Sequence, residues 1–69
     1  MSSAPNYDQI ARDATQRLQS KFPEFTNEQL RAVVQEELTK LRSARVKDYL
    51  SVLTVRAAAT RLAKMTMRD

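Results

Sequence analysis

Apolar residues return at helical spacing in three stretches of this chain, each bounded by its own punctuation. In the first, Ile10, Ala14 and Leu18 repeat every four residues with Tyr7 and Ala11 beside them, while Arg12, Asp13, Gln16 and Arg17 take the remaining surface. That is the narrow stripe of an amphipathic helix. Asn6 is a suitable N-cap with Gln9 three residues on, as in a capping box. Phe22-Pro23 closes the pattern, because a residue before proline is pushed out of the α region. The spacing predicts a helix over 7–21.

The second stretch has the clearest start in the chain. Thr26 is placed to cap, Gln29 to answer it from the third position, and Phe25 and Leu30 to form the hydrophobic staple around them. Glu28 adds a favourable charge to the first turn. Leu30, Val33, Val34, Leu38 and Leu41 then mark a buried face, predicting a helix over 26–42. A third helix is expected over 46–65. No Gly or Pro marks its boundary with the second, although Ser43 is a possible N-cap. The connection is expected to be short, as between antiparallel helices. Residues 1–5 are expected to be a disordered tail and residues 67–69 a frayed end. The fold class is therefore all-α, a three-helix bundle occupying residues 6–66.

On a helical wheel the third stretch has two apolar sides. Val46, Tyr49, Leu50, Leu53 and Ala57 cluster on one, assigned to the intrachain core because they continue from the short connection. Val52, Val55, Ala59, Leu62 and Ala63 cluster about half a turn away, with Lys47, Ser51, Thr54 and Arg61 as the polar strip between. Two small helices cover one broad face of a third more readily than two. Leaving Val52, Val55 and Leu62 in water forgoes about 1.5–3 kcal/mol for each. A second copy of the chain is the natural cover, and Ala57, Ala58, Ala59 and Ala63 would let two such helices approach closely. A wide arc absorbed within one three-helix core is the competing reading.

Composition sharpens this picture. The 69-residue chain contains no Cys, no His and no Gly. A chain so short needs a staple, and the absent residues remove disulfides and the common zinc sites, leaving oligomerisation. They also remove the Ser-His and Cys-His nucleophile pairs and the glycine loops that cradle phosphates. No catalytic, metal-binding or cofactor-binding residues are expected, and an enzyme is not. No apolar run approaches the roughly 18 residues of a membrane span, and the first residues lack a signal peptide's basic and apolar regions, so a cytoplasmic location is expected.

Charge raises one rival reading. Residues 1–41 carry five Lys or Arg against six Asp or Glu, whereas residues 42–69 carry seven against two. A basic third helix suggests a small DNA-binding regulator. Yet Arg45 and Arg56 fall on one flank and Lys47 and Arg61 on the other, separated by apolar stripes, where a phosphate-tracking surface wants one open face. Arg61, Lys64 and Arg68 are also accounted for by the helix dipole.

The stretch Leu18–Lys64, roughly two-thirds of the chain, carries Phe22-Pro23, the run Leu30-Arg31-Ala32-Val33-Val34, and the block Ala44-Arg45-Val46-Lys47-Asp48-Tyr49-Leu50-Ser51-Val52-Leu53 followed by Arg56-Ala57. In these it resembles the three-helix bundle dimerisation domain of actinobacteria, which occurs alone and at the N-terminus of some arsenate reductases and low-molecular-weight tyrosine-phosphatase-like proteins. Members often have Pro at the position of Ser51 and an acidic residue at that of Val55. The resemblance implies a helical dimer. It does not bring arsenate reduction or phosphatase activity, which belong to a separate domain with a Cys nucleophile. Arg45, Asp48 and Arg56 are the polar residues of the shared block, and an ion pair or helix-start contact is expected of Arg45 and Asp48.

The expectation is a non-enzymatic dimerisation module, pairing with itself through Val52, Val55, Ala59, Leu62 and Ala63. Its alternatives are the DNA-binding regulator and an adaptor that offers the same apolar face to a different protein.

Overall fold

A computed structural model of the chain describes residues 6–46 and 48–66. The tail expected at 1–5, the frayed end at 67–69, and Lys47 of the polar strip lie outside the described residues. Three helices form, α1 (Tyr7–Lys21), α2 (Asn27–Ser43) and α3 (Leu50–Thr66), and each packs on both others. No strand is present among the described residues.

Local chemistry sets the first two helices. The Asn6 side chain accepts the Gln9 backbone N–H at 3.1 Å, opening α1. The Gln9 side chain makes no return bond, so this is a single cap. At the other end the Phe22 N–H donates to the Leu18 carbonyl at 2.7 Å, and the Phe25 N–H to the Phe22 carbonyl at 3.1 Å, closing a turn with Pro23 inside it. The Phe22 and Phe25 rings meet edge to face at 6.1 Å, fixing the angle at which the chain turns back. Thr26 and Gln29 then complete a reciprocal capping box: the Gln29 N–H donates to Thr26 Oγ1 at 3.1 Å, and the Thr26 N–H to Gln29 Oε1 at 2.8 Å.

The end of α2 uses a device that normally asks for glycine. The Arg45 N–H donates to the Arg42 carbonyl and the Val46 N–H to the Leu41 carbonyl, both at 3.0 Å. Arg45 itself has φ 61°. This is a Schellman motif with Arg45 at the left-handed position, and half-buried Val46 and Leu41 both pack against the core beside it. The chain therefore reverses at 44–46, and Ser43, a candidate cap for α3, is instead the last residue of α2. A second left-handed residue, Tyr49 with φ 59°, precedes α3. The expected start at 46 is thus corrected to Leu50, because two backbone reversals intervene that no Gly or Pro announces. Each left-handed non-glycine residue costs about 1–2 kcal/mol.

The helices run up, down and up. The Gln19 amide donates to Asn27 Oδ1 at 3.0 Å near one end of the α1–α2 pair, and the Arg42 guanidinium lies 4.3 Å from the centre of the Tyr7 ring at the other. Between them the core is built from Ala11, Ala14 and Leu18 of α1, Leu30, Val33, Val34 and Leu38 of α2, and Leu50, Ala58 and Leu62 of α3.

Candidate interaction surface on the third helix

The buried stripe of α3 is Leu50, Thr54, Ala58 and Leu62, one residue per turn. It runs along the strip that the sequence pattern marks as polar. Thr54 is fully enclosed, and its hydroxyl has no hydrogen-bond partner. Arg61 leans across to α2, where one guanidinium nitrogen donates to Glu36 Oε1 at 2.7 Å and to Glu37 Oε2 at 3.0 Å. Glu37 is buried on the core side of α2 and is also met by Lys40 at 3.3 Å. The hydrogen bond to Glu36, followed by that to Glu37, raises the Arg61 guanidinium above its ordinary pKa. These two residues explain the displacement of the buried face. Small Thr54 and Ala58 at its centre let three helices approach closely, and Arg61 buries its stem while its head reaches a carboxylate.

The rotation re-sorts the expected interface. Leu62 is fully buried within the bundle, so it is a core residue and cannot face a partner. Val55 and Ala59 are half-buried and pack against the same core. Ala63 is half-buried, and Val52 is 47% exposed. The opposite stripe changes as well. Leu50 is in the core, Val46 packs against it from the loop, and Leu53 and Ala57 are half-buried. Tyr49, expected inside, is 79% exposed: it stands seven residues before Arg56, on the side opposite the buried stripe, and holds φ 59°.

The outward surface of α3 therefore holds Val52, Arg56, Ala59, Thr60 and Ala63, with Tyr49 standing at the corner before the first turn. Val52 and Ala59 are seven residues apart, and Arg56 and Ala63 repeat the interval, so the four form one seam along the helix. Met65, 47% exposed, lies at the far end. Among the described residues no ion pair involves Arg45, Asp48 or Arg56, so the Arg45–Asp48 pair does not form there. Arg45 shapes the chain reversal instead, while Arg56 is exposed and its carbonyl accepts the Thr60 hydroxyl at 3.0 Å. Tyr49 as an exposed aromatic escapes the pattern, since the buried stripe centres on Thr54 and Ala58 and leaves position 49 on the outer side.

Among the described residues no helix is long and apolar enough to cross a membrane, and no three His, Cys, Asp or Glu residues gather to hold a metal ion. A groove between α1 and α2 is lined by Arg12, Thr15, Gln16, Gln19, Asn27 and Arg31. Comparison with protein-family models, with curated proteins and with solved structures gives no match to this chain.

Proposed function

We propose that the chain is a non-enzymatic, cytoplasmic protein–protein interaction module that pairs with a second copy of itself through the outer face of α3. The observation that supports this most is the seam left after the core is filled: Val52 about half in solvent, in line with half-buried Ala59 and Ala63. Alanines at this spacing permit close helix–helix approach, and exposed Tyr49 at the corner is the residue type that interfaces favour. The resemblance of Leu18–Lys64 to a dimerisation domain points the same way.

The drive is modest. Covering the exposed half of Val52 is worth about 1 kcal/mol per subunit, so the pairing is weak and reversible. Its interface set is Val52, Ala59 and Ala63 with the outer edge of Val55, without Leu62. No cofactor is required. A nucleic-acid role gains little, since Arg61 is already committed to Glu36 and Glu37.

Sedimentation equilibrium tests the reading. The wild-type mass should rise towards twice that of the chain as concentration increases, and Val52→Glu should stay monomeric with full helix content by circular dichroism. An identical concentration dependence for Val52→Glu would remove α3's outer face from the interface.

A further inference from the structure

The groove between α1 and α2 is lined by no residue of α3 and plays no part in the proposed pairing. Its six lining side chains are Arg12, Thr15, Gln16, Gln19, Asn27 and Arg31, without one carboxylate, in a chain that has eight acidic residues. We propose that this groove binds a phosphate-type oxyanion between the Arg12 and Arg31 guanidinium groups.

Two observations beyond the lining carry the proposal. Each arginine has a carboxylate one turn earlier on its own helix, Asp8 for Arg12 and Glu28 for Arg31, yet neither pair closes to ion-pair distance. Asp13 and Arg17, with the same spacing and order as Asp8 and Arg12, do pair at 3.1 Å. The two groove arginines are thus left without a partner among the described residues while the local alternative stands by. The second observation is the hydrogen bond from the Gln19 amide to Asn27 Oδ1, which ties the two helices across this groove. It anchors one end of the site and leaves one Gln19 amide hydrogen and both of Asn27 to donate. Gln16 makes no hydrogen bond to another described residue, and its amide adds a further donor. Thr15 contributes shape only, since its hydroxyl already donates to the Ala11 carbonyl at 2.7 Å.

The chemistry selects the ligand class. A tetrahedral oxyanion has several acceptor oxygens, and guanidinium groups meet it with paired N–H donors in a fixed fork. Neutral amides complete such a site without adding charge that the anion does not need. The groove, of about 380 Å³, takes a phosphate group and its first waters. Free phosphate and a phosphate monoester share this chemistry.

The test is an amide and arginine-Nε chemical-shift titration of the full chain with inorganic phosphate, at ionic strength held constant with chloride. Saturating shifts confined to Arg12, Gln16, Gln19, Asn27 and Arg31 are expected. Arg12→Gln or Arg31→Gln should each weaken binding about tenfold. Lys21→Gln combined with Lys64→Gln, which removes the same charge as both groove substitutions together, should leave the affinity unchanged. A parallel titration with phosphoserine distinguishes the sources: tighter binding than inorganic phosphate assigns the site to an esterified phosphate, and equal binding to the free anion. Shifts that fail to saturate, or that spread equally over Arg56 and Lys64, would overturn the proposal. So would groove variants that titrate like the wild type, and the wild-type Nε signals decide the matter even where a variant folds poorly.

Discussion

Thr54→Val should stabilise the bundle. The Thr54 side chain is wholly enclosed in the middle of α3's buried stripe, and its hydroxyl finds no partner. In the unfolded chain that hydroxyl is hydrated, so folding strips its water without replacement, at about 1–3 kcal/mol. Valine keeps the branched shape, so no cavity opens and helix propensity hardly changes. A gain of about 1–2 kcal/mol is expected, which for a domain of this size raises Tm by roughly 4–8 °C per kcal/mol. Thr15 is the internal reference. It is buried too, but its hydroxyl donates to the Ala11 carbonyl at 2.7 Å, so Thr15→Val removes a bonded group and should gain much less. Thermal and urea melts of both variants, at one protein concentration well below that of self-association, give the comparison. Equal gains, or a loss at position 54, would refute the reasoning and mean that the Thr54 hydroxyl turns to a carbonyl of its own helix, as Thr15, Thr39 and Thr60 do.

Other consequences are as direct. Arg45→Gly should raise stability by about 0.5–1 kcal/mol in urea melts, the relief of the left-handed strain less the extra freedom glycine gives the unfolded chain; a loss would mean that the Arg45 side chain holds something the backbone does not. Arg61→Ala should lower Tm more than Arg17→Ala, because it deprives a buried carboxylate of its partner on α3 whereas Arg17 and Asp13 pair at the surface; equal shifts would show that Lys40 alone satisfies Glu37. Leu62→Glu should abolish helix content by circular dichroism where Val52→Glu preserves it; a folded Leu62→Glu chain would place that residue outside the core.

Helix number and the chain's first turnaround were legible because side chains announce them. Thr26 and Gln29 can hardly be read except as a cap, and Phe22-Pro23 can hardly continue a helix. The second turnaround was illegible for the opposite reason. Arg45 and Tyr49 hold positive φ without being Gly or Asn, and that cost is met by tertiary packing which no local pattern displays. The orientation of α3 was misread through one assumption, that the buried face of a helix is its most apolar face. Here the centre of the contact is Thr54 and Ala58, flanked by Leu50 and Leu62, so the wheel divides a single buried arc into two stripes. The arc is wide, and most of the surplus apolar surface expected of α3 goes into the bundle itself. What remains outside, Val52 with two alanines, is the smaller part. The groove on α1 and α2 was hidden for a different reason: Arg12 and Arg31 lie on ordinary solvent faces until the helices are brought side by side.

Pairing through α3 is tested most directly by following backbone amide shifts of the wild-type chain in a dilution series, from about 1 mM to about 10 μM, which spans weak to moderate affinities. Concentration-dependent shifts should concentrate at Val52, Arg56, Ala59 and Ala63 and follow a single monomer–dimer curve, with the α1 and α2 outer faces still. Shifts that stay constant across the series, or that gather on α1 and α2 instead, would contradict the account.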